Sequence, residues 1–210
     1  QSAHVLTGAI VAASVADDQV RQSQRGAGVW RGDHVMLFLD VRPDEEPARD
    51  NFGRGQFQIA LSPGNFLKTG DAGVDCPPEV YCYLPNGTRL VGATVAASHT
   101  ATGYDLEAAL PWSQLGVKSP AAGLRLRIEL AVSDNDGAEA RQEKMMTAGT
   151  APWAITRSRL VAGVLADATG RAPEGGAGLA LFASLTLSNG ASATHQLLVE
   201  AVPEGREAVL

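Results

Sequence analysis

The chain has 210 residues, 45% of them hydrophobic and 19% charged, which suits one large β domain, or one domain plus an appendage, with a proper core, and argues against wholesale disorder. A net charge of -6, with no cluster of Lys and Arg, excludes a nucleic-acid partner bound through its phosphates. No apolar run is long enough to span a bilayer, and no signal peptide opens the chain, as for a mature secreted protein that has lost one.

The first segment, LTGAIVAASVADD at 6–18, reads as a strand that ends in a polar corner. GVWRGDHVMLFLD at 28–40 turns at Gly32 and enters a strand. There Val35, Leu37 and Leu39 alternate with His34, Met36, Phe38 and Asp40, so both faces are expected to be covered. GQFQIALSPG alternates Phe57, Ile59 and Leu61 with Gln56, Gln58 and Ala60. DCPPEVYC places Cys76 and Cys82 around a Pro-Pro turn. Two cysteines are too few for a zinc site; a local Cys76–Cys82 disulfide is the reading preferred over two free thiols, and it implies an oxidising, extracytoplasmic setting. Asn86-Gly87-Thr88 has the form of a glycosylation sequon but reads as a Pro-Asn-Gly turn.

RLVGATVAASHT and GYDLEAALPW predict a hairpin across Ala101–Gly103. PWSQLG at 111–116 predicts one short turn stopped by Gly116, with Trp112 packed in the core. LRLRIELAVSD alternates Leu124, Leu126, Ile128 and Leu130 with Arg125, Arg127 and Glu129, the pattern of a half-buried antiparallel strand. RQEKMMTAG and an irregular stretch around Trp153 follow. ADATGRAPEGGAG at 166–178 has the composition of a linker or long loop. Two more strands are expected in GLALFASLTLSNG and THQLLVEAV, joined by a Ser-Asn-Gly turn. Many short strands punctuated by Gly and Pro predict an all-β antiparallel sandwich, jelly-roll-like, over 1–165, with a C-terminal strand extension at 179–210. That extension either completes the sandwich or begins another domain. The chain ends carry no clear boundaries, so a piece of a longer polypeptide is expected.

Aspartates gather at two corners: Asp17 and Asp18 in ADDQ, and Asp134 and Asp136 in SDNDG. Ca²⁺ takes several oxygen ligands where the chain can curl, so these four are candidate calcium ligands; the alternative is ordinary turn capping by Asp and Asn. Asp33 and Asp40 are weaker candidates. Asp105 and Glu107 share one strand face, as a glycosidase pair would, but nothing gives them opposed environments, so structural or rim hydrogen bonding is favoured. No catalytic residue is expected: the chain lacks a GxSxG elbow and a phosphate-cradling glycine loop.

The series WRGDHVMLFLD, GQFQIALSPGN, GYDLEAALPWSQLGV and GLRLRIELAVSDNDG resembles the family 9 carbohydrate-binding modules and the wider DOMON-like sandwiches, over about residues 5–165. The resemblance implies an antiparallel sandwich with structural calcium and a sugar held between two tryptophans, here Trp30 and Trp153. A pyranose offers an apolar C–H face that an indole covers without loss of hydrogen bonds. Polar ligands of the family fall here at Met36, Gln58, Ala60 and Thr150. Gln58 and Thr150 retain hydrogen-bonding groups, with Arg31 at the rim; Met36 and Ala60 do not. The function implied is non-catalytic polysaccharide binding by a secreted or cell-surface protein. The alternative is a structural or assembly domain of a larger surface protein that has lost sugar binding and pairs, through edge strands and the C-terminal tail, with other copies or domains.

Overall fold

The computed structural model describes residues 8–42, 54–67, 73–118, 120 and 123–136, together with the backbone of five short strands further along. Strands β1 (Gly8–Ala16), β5 (Thr94–Thr100) and β6 (Gly103–Pro111) form one sheet in the order β1-β6-β5. The larger sheet runs β10-β9-β7-β2-β3-β4, built from β2 (His34–Asp40), β3 (Gln56–Ser62), β4 (Glu79–Leu84), β7 (Arg125–Asp134), β9 (Val161–Leu165) and β10 (Gly178–Leu179). β8 (Lys144–Thr147) also pairs with β7, and β11 (Leu187–Ser188) pairs with β12 (Thr194–His195). Pairing is antiparallel throughout except for β9 with β10. The expected sandwich is therefore present, with one parallel pair added at its edge.

Period-two alternation decides which side chains meet between the sheets. Val11, Ala13 and Val15 of β1 and Tyr104, Leu106, Ala108 and Leu110 of β6 face Val35, Leu37 and Leu39 of β2. Phe57, Ile59 and Leu61 of β3 and Leu126, Ile128, Leu130 and Val132 of β7 complete the interior. Each buried aliphatic or aromatic side chain contributes about 1.5–3 kcal/mol. Trp112 is buried in this core, as expected, and Gly116 (φ 78°) ends its turn. The β5–β6 hairpin forms across Ala101–Thr102. Gly103 (φ 147°) closes it where a Cβ would overlap the Val15 carbonyl.

β2 is buried on both faces, as the unbroken apolar run predicts. Its outward Met36 and Phe38 join Val29, Ala60 and Ala131 in a second, smaller cluster, flanked by Tyr83. β7 is half-buried only at its start and covered on both faces from Ile128 onward.

The Cys76–Cys82 disulfide does not form; both thiols are free and buried. Glu79–Leu84 is a strand, which the Pro-Pro and cysteine signals concealed although Val80, Tyr81 and Tyr83 favour extended chain. A strand rises about 3.3 Å per residue, so β4, starting at Glu79, carries Cys82 away from the Pro-Pro corner, and the local loop that a disulfide would pin does not exist. Cys82 instead faces the core, and its thiol donates to the Leu84 carbonyl at 3.0 Å. The oxidising setting inferred from that bond loses this support.

Candidate carbohydrate and cation sites

A 3₁₀ turn, Gly26–Arg31, leads into β2 and carries Trp30. Val29 is fully buried against the outer face of the large sheet and anchors the turn. That leaves the next residue facing outward: Trp30 is 40% exposed, whereas Trp112 is 5%. The Arg31 guanidinium lies over the Trp30 ring, 5.2 Å from its centroid, a cation–π contact that restrains both side chains. The Trp30 N–H donates to the Tyr83 hydroxyl (3.0 Å), which donates to the Ala27 carbonyl (3.3 Å). The Gly26 N–H donates to the Glu79 carboxylate. Two buried amides hold the turn from the other side. Gln22 Nε2 donates to Val29 O (3.2 Å), and Asn135 Nδ2 donates to Arg31 O (2.8 Å).

The register of the large sheet places Gln58 beside Phe38, and Phe38 beside Glu129. Gln58 is half-buried and Glu129 nearly buried, on the same outer face as Met36 and Ala60. No motif marks Glu129; its one signal is an acid at an outward position of an alternating strand. The next row brings together Arg127, Asp40 and Gln56. Asp40 accepts from Gln56 Nε2 (3.0 Å) and from the Arg42 N–H (2.9 Å), so its carboxylate serves this row and lies outside the metal cluster. Trp153 and Thr150 lie outside the described residues. Asp105 and Glu107 share the outward face of β6, and Asp105 accepts from the Ser14 hydroxyl.

At one end of the sandwich the chain leaves β1 at Asp17, enters β2 at Asp33 and leaves β7 at Asp134. Carboxylate oxygens of Asp17, Asp33 and Asp134 all lie within 4.8 Å of one another, and so do those of Asp17, Asp18 and Asp136. The four expected aspartates are thus brought to one corner, and Asp33 joins them. Asp33 Oδ1 accepts the Asn135 N–H (2.8 Å), and Oδ2 accepts the Arg21 N–H. Burial, then the charges of Asp17 and Asp134, push the Asp33 carboxyl up to about 9. Among the described residues, neither the fully buried Tyr104 hydroxyl, near these carboxylates, nor Asp136 Oδ1 has a hydrogen-bond partner. A buried carboxylate oxygen is costly without a counter-charge, and a buried hydroxyl without a hydrogen-bond partner. Two oxygens on one Ca²⁺ sit at most about 5 Å apart, twice a bond length of roughly 2.3–2.6 Å, so both aspartate groups have the span of a shared ion.

The family described as carbohydrate family 9 binding domain-like matches residues 8–154. The chain belongs to this family. As a family 9 module it is a carbohydrate-binding domain, and the expected resemblance to the family 9 modules holds. Among solved structures, one similar chain is a family 9 carbohydrate-binding module from Caldicellulosiruptor kristjanssonii in complex with cellotriose. It is 18% identical, with 76% of this chain and 70% of that chain covered and a TM-score of 0.56. Another, a family 9 module from the same organism in complex with glucose, is 20% identical. It covers 69% of this chain and 64% of that one, with a TM-score of 0.47. At such identities the likeness is one of fold. No curated protein matches this module.

Proposed function

We propose that the module holds a secreted or cell-surface protein on a polysaccharide, with Trp30 as the stacking surface. One observation carries this reading: Trp30 keeps 40% of its surface exposed although its main chain is tied down on both sides. A preordered aromatic ring binds a pyranose face with little further loss of freedom. Arg31, Gln58 and Glu129 are the polar groups through which sugar hydroxyls would be fixed in orientation, joined by Thr150, with Trp153 as the opposing ring. The aspartate corner would hold structural calcium through Asp17, Asp33 and Asp134, with Asp18 and Asp136 beside them. Calcium there would neutralise like charges and lock three strand ends together. The segment at 179–210 is read as an extension of the sandwich.

A second reading, an assembly domain joined edge to edge with other copies or domains, is favoured by one feature. Met36 and Ala60, where the resemblance puts polar sugar ligands, are 1% and 0% exposed.

Affinity electrophoresis through gels containing hydroxyethylcellulose or xylan tests the choice. Retardation of the parent, reduced at least about tenfold in apparent affinity by Trp30→Ala, supports sugar binding. An unretarded parent that forms dimers in sedimentation supports assembly. Trp30→Ala should melt with the parent, because the ring contributes little to the core.

A further inference from the structure

We infer that Asn135 and Gln22 are positioning residues for Trp30, and that Asn135 transmits the state of the aspartate corner to the sugar-stacking ring. The inference rests on the carbohydrate and calcium readings above, and goes beyond them by joining the two sites.

The geometry is a short chain of contacts. Asn135 takes its place at the corner by donating its backbone N–H to Asp33 Oδ1 at 2.8 Å. Its side-chain amide then donates to the Arg31 carbonyl, also at 2.8 Å. Gln22 bridges the same segment, donating from Nε2 to Val29 O (3.2 Å) and to Asp33 O (3.1 Å). Its Oε1 accepts the Gln24 N–H at 2.9 Å, so the amide orientation is fixed. The carbonyls immediately before and after Trp30 are therefore both held by side chains only 2% and 3% exposed. Space for the Gln22 amide exists because residue 32 is glycine; a Cβ there would lie 2.5 Å from Gln22 Oε1.

Asp33 is common to the corner and to this clamp. A cation that draws Asp17, Asp33 and Asp134 together fixes Asp33, and through it the backbone of Asn135. Without the cation, no shared ion holds the Asp17, Asp33 and Asp134 side chains together, and that anchor is looser. The turn carrying Trp30 then has more freedom to lose when sugar binds. The predicted consequence is a glycan affinity that depends on calcium although calcium does not touch the glycan.

Hydrogen exchange on the whole chain, with CaCl₂ or with EDTA, reads the link without any sugar. Calcium binding is followed separately by the rise in melting temperature. In the parent, calcium should slow exchange across residues 26–33 by about tenfold, in line with a local opening made harder by one or two hydrogen bonds. Asn135→Ala should still gain melting temperature with calcium, yet change exchange at 26–33 less than about twofold. Asn135→Asp keeps the size, removes the donor and should behave alike, which covers the case that the alanine variant does not fold. Tyr83→Phe loosens Trp30 from the other side and should keep the calcium response. Cello-oligosaccharide affinity should fall about three- to tenfold in EDTA for the parent and stay unchanged for Asn135→Ala. A parent that binds calcium with no change at 26–33 overturns the link while leaving the calcium reading intact. So does an Asn135 variant that responds like the parent. A parent whose melting temperature ignores calcium overturns the calcium reading and the link with it.

Discussion

Removing divalent cation should make the module progressively less stable as pH rises, because Asp33 holds a proton in the folded chain that the unfolded chain gives up. Its carboxyl titrates near 9 when folded, against an ordinary value of 3.8. Between those values the native state binds one more proton than the unfolded state. Stability then falls with rising pH by about 1.4 kcal/mol per pH unit. The contribution is whole below pH ~4 and gone once pH passes the folded value. For a domain of this size the slope is roughly 3–6 °C of melting temperature per pH unit. A calcium ion held at this corner would reverse the logic: it would bind the ionised carboxylates and expel the proton. Binding at pH 7 should therefore release about one proton per ion, and the melting temperature should no longer fall with pH. The assay is a series of melts from pH 7 to 9, above the range in which His34 titrates, in EDTA and in CaCl₂. Calcium titration calorimetry in two buffers of different ionisation heat counts the protons. A flat pH profile in EDTA, or calcium binding with no proton released, would refute the reasoning about Asp33.

Acid should destabilise the fold through His34, which is fully buried with Nδ1 on the Gly32 carbonyl (2.8 Å) and no partner at Nε2. Burial lowers its titration to about 4 from 6.5. This contribution is whole above pH ~6.5 and falls by about 3 kcal/mol as pH drops toward 4, where it offsets the opposite Asp33 trend; His34→Gln, melted in EDTA over that range, should gain stability relative to the parent as pH falls. Both cysteines should resist a thiol reagent until the protein is unfolded, and reduction should not change the mass. Burial pushes the Cys82 thiol up to about 11, so almost none is thiolate at pH 8. Gly103→Ala should cost at least about 2 kcal/mol in denaturant titration, since its Cβ would strike the Val15 backbone; an unchanged midpoint would show that the hairpin relaxes freely.

Alternation is local, and so the strands around Leu37, Ile59, Leu106 and Ile128, their inward faces and the β5–β6 hairpin are legible in the order of residues. So is the acidic character of the two corners, whereas the exposure of Trp30 beside a buried Val29 is decided by packing. Other features needed the packed sheets. Strand β4 was hidden behind a Pro-Pro pair, and the cysteine spacing suggested a bond that does not form. Nothing in ADDQ or SDNDG names Asp33, because Asp17, Asp33 and Asp134 meet only when three strand ends are stacked in register. Glu129 beside Phe38 and Gln58 likewise follows from pairing among three strands. A chain dictates what each strand shows to either face through the geometry of a single residue. Which distant charges become neighbours depends on strand order and register, and those are set by how all the apolar faces are buried at once.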